Sequence, residues 1–231
     1  MTILAIDTAT TVCGVAIIRD GFIVAEQWIE ERSAHAERLF GLTDAVLREA
    51  QVDPRDCDAF AVSIGPGSFT GLRIGLSAAK GFHLALGKPV LAVPTLTALA
   101  HRCLPVFGNA RGHCVAALDA RRDEAYIQTF SVTDGVLTPE GSPDARTVAE
   151  IIGALPAGKV LVTGDAREKI AAALAGADPA VRVEIVDDAT ARCSAAAVAQ
   201  VAGQMFARGE FADAGTLEPM YVKEVFLRTA H

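Results

Sequence analysis

The N-terminal stretch Met1–Glu30, MTILAIDTATTVCGVAIIRDGFIVAEQWIE, determines the fold class of this chain. Its three apolar runs, TILAIDTA, VCGVAIIRD and FIVAEQWIE, are separated by a Thr-rich turn and by the turn dipeptide Asp20-Gly21. Runs of this length, bounded by turn residues, predict strands, and the short connections predict antiparallel neighbours. The chain is therefore expected to begin with a three-stranded meander.

The elements that follow the meander predict a mixed sheet covered by helices. A helix is expected from about Ser33, its N-cap, to Ala50, because Pro54 follows shortly after. Next come a buried strand, CDAFAVSI, a helix from Thr70 to about Leu86, a strand, KPVLAV, and a helix, PTLTALAHRCL. Antiparallel strands followed by alternating helices and strands are typical of an α/β domain with a mixed sheet.

The second half of the chain repeats this order of elements without a sequence repeat. The turn-rich segment 104–112 is a plausible boundary, so we predict an N-terminal lobe over 1–106 and a C-terminal lobe over 107–231. Strands are expected at HCVAALDA, EAYIQTFSV, KVLVTGDA and VRVEIV, and helices at RTVAEIIGAL, REKIAAALAG and SAAAVAQVAGQMFARG. Periodicity leaves open whether the last helix, 194–208, folds back onto the first lobe.

Composition excludes several classes of function. A net charge of −7 and a pI near 5.2 argue against an autonomous nucleic-acid binder. If RNA is bound, we expect a partner protein to make most of the contacts with it. The five cysteines form no Cys-x-x-Cys pair, which fits a reducing cytoplasm. The N-terminus lacks a basic region typical of a signal peptide. Charges and prolines interrupt the apolar segment 72–100, so we expect no membrane span and a cytoplasmic protein.

Two loops have features of phosphate-binding turns. The first places an acidic residue and small hydroxyl residues after the first strand, and the second, SIGPGSFTGLRIG, packs glycines before a helix. Free N–H groups at a helix N-terminus attract anions, although the same glycines also suit a tight structural turn whose arginine pairs with a carboxylate. The second loop matches neither a Walker loop nor a nucleophile elbow. The candidate residues are Asp7, Thr8, Thr10, Gly65, Gly67, Ser68, Thr70 and Arg73.

Two neighbouring helices carry more apolar or small-residue surface than one core requires. The helix 33–50 has a stripe Leu39/Leu42/Val46 and a second stripe Ala36/Phe40/Leu47, so it has either a broad core face or a second face for a partner helix. Small residues four apart in the helix 70–86 suit the close approach of another helix. The predicted partner interface comprises Phe40, Thr43, Leu47, Gly71, Gly75, Ala78, Ala79 and Phe82. A charged residue at Phe40 or Gly75 is expected to abolish a complex without unfolding the chain.

Groups suited to catalysis are scarce. The five histidines form no His-x-x-x-His or His-x-Glu pattern, so we predict no metal site, no cofactor and no catalytic residue. The carboxylates Asp119, Asp123 and Glu124 alternate with Arg121 and Arg122, which indicates a salt-bridged turn rather than an acid/base pair.

Four segments together resemble one known family. They are MTILAIDTAT with CGVAI, the loop GPGSFTGLRIG with the following AKG, ALDARRDEAY at 117–126, and EPMYVKE at 218–224. This set is similar to the TsaB (YeaZ) family nearly from end to end. The last motif departs conservatively from the family's Pro-x-Tyr-Leu-Arg, since Val222 and Lys223 occupy its final positions.

The resemblance implies an ASKHA (actin-like ATPase, RNase H-like) fold with two similar lobes and a non-catalytic role. The family's members bind the paralogous enzyme TsaD, which transfers a threonylcarbamoyl group to N6 of adenosine 37 in tRNAs that read codons beginning with A. TsaD holds its metal partly through a His-x-x-x-His, and Thr95 and Leu99 stand where that pair is expected here. Implied partners are a TsaD homologue, a TsaE-type ATPase and, in isolation, a second copy, with only indirect contact to tRNA. The two phosphate-type loops would then be structural relics.

Two further functions compete with this interpretation. A self-contained ATPase or small-molecule kinase of the same fold would use Asp7 and the Thr turn, and Gly164-Asp165 is the candidate for its second acidic element. A peptidase would need a nucleophile with its base, or a metal, and the sequence supports neither.

Overall fold

A computed structural model of the chain describes residues 1–31, 34–174 and 182–223. The first sheet has the strand order β3-β2-β1-β4-β5, in which β1 pairs antiparallel with β2 and parallel with β4. The predicted N-terminal meander is confirmed. The strands are β1 Thr2–Asp7, β2 Val12–Arg19, β3 Phe22–Glu30, β4 Ala59–Gly65 and β5 Val90–Pro94.

The second sheet repeats this topology. Its order is β10-β9-β6-β7-β8, and its central strand again has an antiparallel neighbour on one side and a parallel one on the other. The predicted fold class, an α/β protein with two similar lobes that each contain a mixed sheet, is therefore confirmed. The strands are β6 Gly112–Asp119, β7 Glu124–Thr133, β8 Val136–Thr147, β9 Lys159–Thr163 and β10 Arg182–Ile185.

Strand β8 was not predicted from the sequence. The segment Val136–Thr147 contains two prolines and a glycine, which favour a loop, and the helix expected from Arg146 begins at Val148 instead. Strand β8 lies at the edge of the sheet and pairs only with β7, where the missing N–H of proline is tolerated.

Helices cover both sheets. The N-cap predicted at Ser33 lies outside the described residues, and the helix begins at His35. The N-cap Ser68 of α2 accepts a hydrogen bond from the Gly71 N–H. The helices are α1 His35–Ala50, α2 Phe69–Leu86, α3 Thr95–His101, α4 Leu104–Phe107, α5 Val148–Gly153, α6 Arg167–Leu174, α7 Asp188–Ala191 and α8 Ala195–Arg208.

Helices α1 and α2 pack on one face of the first sheet, and α8 packs on the other. The small side chains of α8 allow this close approach, since an added Cβ at Gly14 on β2 would lie 3.4 Å from Ala195 Cβ. Glu26 on β3 fastens the N-terminus of α8, because its Oε1 accepts hydrogen bonds from Ser194 Oγ at 2.7 Å and from the Ala196 N–H at 3.0 Å. The division of the chain at residue 106 remains a prediction.

The segment after α8 crosses from the first lobe to the second. Its Ala212 N–H donates to the Val90 carbonyl at the edge of the first sheet, and the Met220 N–H donates to the Ile64 carbonyl at 2.7 Å. Lys223 then reaches the second lobe, where its Nζ donates to Glu124 Oε2. We call residues 212–223 the C-terminal strap.

Candidate functional site

The two phosphate-type loops pack directly against each other. Ser68 donates its N–H to the Ala9 carbonyl at 2.7 Å, and Thr8 Oγ1 donates to the Gly71 carbonyl at 2.8 Å. An added Cβ at Gly67 would lie 2.3 Å from Ala9 O, and one at Gly71 would lie 2.1 Å from Thr8 O. The glycines thus permit contact between two pieces of backbone.

Several N–H groups of the second loop donate hydrogen bonds to other groups of the protein. Gly65 donates to Thr95 Oγ1 at 3.0 Å, and Gly71 donates to Ser68 Oγ at 3.2 Å. Gly65 has φ +117°, and an added Cβ there would lie 2.6 Å from the Met220 carbonyl oxygen in the C-terminal strap. This packing favours a structural role for the loop over an anion site.

Asp7 is buried at the end of β1. Its Oδ1 accepts hydrogen bonds from Ser63 Oγ at 2.8 Å and from the Ala9 N–H at 3.1 Å, whereas its buried Oδ2 has no hydrogen-bond partner in the described part of the chain. Burial raises the pKa of this carboxyl above its ordinary value of 3.8. Asp7 is therefore a poorly satisfied buried acid.

A cavity of about 300 Å³ lies in the cleft between the lobes. Thr10 and Asp165 both line it, as an ATPase would require, but Asp7 does not. Asp165 Oδ1 accepts a hydrogen bond from the Asp119 N–H at 2.7 Å, and burial raises the pKa of Asp165. The two acidic residues of the ATPase hypothesis therefore do not both line this cavity.

Possible metal ligands are dispersed. Over residues 1–31, 34–174 and 182–223, no three His, Cys, Asp or Glu side chains come together to hold an ion. Thr95 and Leu99, which stand where the family resemblance places a metal-binding pair, are buried, and Thr95 Oγ1 accepts a hydrogen bond from the Gly65 N–H. No helix within those ranges combines the length and hydropathy that a membrane span requires.

Carboxylates of the salt-bridged turn predicted at 119–124 pair with lysines from other parts of the chain. Asp119 pairs with Lys169 from α6, and Glu124 pairs with Lys223 from the C-terminal strap. Arg121 and Arg122 instead occupy consecutive positions with φ of +72° and +54°. Two carboxylates of the turn are thus salt-bridged as predicted, but their cations come from distant parts of the chain and not from Arg121 or Arg122.

An apolar groove of about 730 Å³ lies between α1 and α2. Phe40 projects into it from α1 and is 62% exposed. Its α2 side is formed by residues that share one helix face at spacings of three and four. The lining residues are Ala36, Phe40, Phe69, Thr70, Arg73, Ile74, Ser77, Ala78, Gly81, Phe82 and Ala85.

The structure places the predicted interface residues in different settings. Phe40, Ala78 and Phe82 line the groove, and Phe82 also stacks on the buried Phe60 with ring centroids 4.9 Å apart. Four others are buried in the fold and offer no free surface to a partner, namely Thr43, Gly71, Gly75 and Ala79. Leu47 is half-buried against the same core, so its place in the interface stays a prediction.

Gly71 and Gly75 face the end of β1 rather than solvent. An added Cβ at Gly75 would lie 2.3 Å from Thr8 Oγ1, so a charged residue there would disrupt the fold itself. Conversely, Thr70 and Arg73 were assigned to the relic loop and lie in the groove. The sequence signal for this face is the recurrence of residues at helical spacing along α2. These residues are Thr70, Ile74, Ser77, Gly81 and Ala85.

Sequence comparison matches this chain to a TsaD family model and to relatives that include TsaB. Residues 29–204 match the family model described as TsaD: tRNA N6-adenosine threonylcarbamoyltransferase. An uncharacterized protein of Mycobacterium tuberculosis is 39% identical over 139 residues, which are 59% of this chain and 62% of that protein. The tRNA threonylcarbamoyladenosine biosynthesis protein TsaB of Escherichia coli is 36% identical over 150 residues, which are 61% of this chain and 64% of that protein. The matched part thus spans less than two thirds of these curated relatives.

A solved structure extends the match over nearly the whole chain. YeaZ from Pseudomonas aeruginosa superposes with a TM-score of 0.80 at 30% sequence identity, and the match covers 95% of this chain and 99% of that one. The predicted ASKHA architecture is confirmed by this likeness together with the two sheets.

Proposed function

The chain belongs to the TsaB/YeaZ family, and from this we propose that it is the non-catalytic partner subunit of a TsaD-type threonylcarbamoyltransferase. In this role it binds the enzyme and enables N6-threonylcarbamoylation of adenosine 37 in tRNAs that read codons beginning with A. The α1/α2 groove carries the proposal, because it is the large apolar concavity expected of a docking surface.

The groove suits the helices of a related protein. It is bounded by two helices and presents small residues, such as Ala78 and Gly81, between large ones, such as Phe40 and Phe82. Small residues let helix backbones approach closely, and large apolar side chains supply most of the binding free energy. The proposed occupant is the paired-helix face of the TsaD homologue, or of a second copy when the enzyme is absent.

The remaining partners follow from the same role. A TsaE-type ATPase is proposed to join the larger complex, and tRNA is proposed to be held mainly by the enzyme. The net charge of −7 supports the assignment of tRNA to the enzyme, because tRNA affinity depends on phosphate neutralisation.

The test begins with size-exclusion chromatography and light scattering of the chain alone and mixed with the TsaD homologue of the same organism. Each sample is then assayed for threonylcarbamoyl transfer to tRNA. We expect activity only in the mixture that contains a complex of defined mass. A chain that alone turns over nucleotide and ignores the homologue would instead establish the ATPase alternative.

A matched pair of variants locates the interface. Phe40→Asp removes a large exposed aromatic side chain from the groove and puts a charge in its place, so it is expected to weaken the complex by at least about a hundredfold. Val136→Asp is the control, because Val136 lies in the second lobe and is also 62% exposed. Equal affinity of both variants would contradict the α1/α2 groove as the interface.

A further inference from the structure

We propose that Arg73 binds a carboxylate on the docked partner, and that this contact fixes the register of the partner in the groove. The inference rests on the proposed function, since it assigns the chemistry of one point in the same interface. It concerns a cation that lies in an otherwise largely apolar groove.

Aromatic rings hold the Arg73 side chain in place. Its Cζ lies 3.9 Å from the centroid of the Phe69 ring, and its Nε donates to Tyr221 OH at 3.0 Å. The Phe69 and Tyr221 rings are themselves stacked, with centroids 5.3 Å apart. The guanidinium is thus positioned before any partner arrives, which reduces the entropy lost on binding.

The charge of Arg73 has no carboxylate partner among the residues that the structure describes. Nε is used by Tyr221, and the two terminal nitrogens make no hydrogen bond within that part of the chain. Arginine carries its donors in a rigid fork that matches a carboxylate with two parallel hydrogen bonds. The exposed edge of Arg73 can therefore offer both of these donors to an incoming carboxylate.

The groove makes such a contact selective. Phe40, Ile74 and Phe82 continue the same surface as apolar residues, so docking removes water from around the guanidinium. Away from water, a well-formed ion pair stabilises the complex in the correct register. A partner docked in another register leaves Arg73 buried and unpaired, which weakens binding. The occupant is a helix with an apolar face and one carboxylate beside the Phe69 end of the groove.

A protein carboxylate is favoured over an RNA phosphate at this position. The anion must enter a groove lined mainly by apolar side chains, which suits a helix rather than a polyanionic backbone. The acidic net charge of the chain also opposes a dominant contact with RNA.

The experiment measures the affinity of the full-length chain for the TsaD homologue without tRNA, for the wild type, Arg73→Gln and Arg73→Lys. Removing one member of a desolvated charge pair is expected to weaken binding by roughly thirtyfold or more in Arg73→Gln. Arg73→Lys keeps the charge without the fork and should lie between the other two. Each acidic residue on the apolar helix faces of the homologue is then changed to its amide.

One such amide variant should weaken wild-type binding to the same extent and add nothing further to Arg73→Gln. Wild-type affinity of Arg73→Gln, or no coupled acid, would overturn the inference and leave the proposed function intact. The measurement is then repeated with tRNA present, and a loss of affinity that appears only in that repeat would assign the anion to RNA and also overturn the inference. Binding only to a second copy of this chain, or no wild-type complex with the homologue, would contradict the proposed function itself.

Discussion

Replacing Gly71 by alanine is expected to destabilise the protein, although alanine is the better helix former. Gly71 lies in the first turn of α2, where an added Cβ would be 2.1 Å from the Thr8 carbonyl oxygen. Because that oxygen is backbone at the end of a central strand, the turn or the helix must shift. Gly81 in the same helix is the control, since an added Cβ there meets nothing within 4 Å.

The two substitutions should change stability in opposite directions. Overpacking costs about 3 kcal/mol at the upper end of its usual range, and the helix preference of alanine offsets up to about 1 kcal/mol of this at Gly71. Gly71→Ala should therefore lose roughly 2 kcal/mol and Gly81→Ala gain up to about 1 kcal/mol. For a chain of this size each kcal/mol corresponds to about 2–4 °C in Tm.

Thermal and urea unfolding of both variants check the prediction. A Gly71→Ala protein as stable as Gly81→Ala would refute the contact between α2 and the first turn. It would also restore the interpretation of Gly71 as an exposed docking residue.

Buried or half-buried side chains lead to three further predictions. Asp7→Asn should unfold at a higher urea concentration than wild type at pH 7. Because burial raises the pKa of Asp7 in the folded state, ionising it destabilises the wild type above that folded-state pKa, and this cost disappears as the pH falls below the unfolded-state pKa. A gain in stability that stays constant across pH would contradict a raised pKa for Asp7. Glu26→Ala should lose about 1–2 kcal/mol in the same assay through the freed N-terminus of α8, and an unchanged midpoint would contradict that tie. Burial raises the pKa of Cys13 and Cys57 to about 11, so neither thiol should react with a thiol reagent at pH 8 until denaturant is added. Rapid labelling of either cysteine in the folded protein would contradict its burial.

Local patterns in the sequence predicted most elements of the fold. The strands of the first sheet have apolar runs and turn residues at both ends, and α2 has a serine N-cap and a glycine after its last turn. Strand β8 was missed because Pro139 and Pro143 favour a loop in isolation, and only its place at a sheet edge makes a strand acceptable.

The candidate site was less predictable because its geometry depends on distant contacts. Small residues at Gly71 and Gly75 fit equally well against a partner helix or against the chain's own first turn, and sequence spacing does not distinguish these cases. Arg73 meets Tyr221, which is 148 residues away, so its aromatic setting has no local signal. Phe40 could be identified because a bulky aromatic side chain outside the core stripe of α1 indicates a second apolar face.

The position of α8 near the end of the chain affects how the protein folds while it is being synthesised. The ribosome releases the five strands of the first sheet within the first 94 residues, but the helix that covers one of its faces spans 195–208. Until that helix emerges, the part of the sheet face that it covers, which includes Ile3, Ala16 and Leu91, stays open to solvent. We therefore expect nascent chains that stall midway to expose an apolar surface that chaperones and proteases can bind.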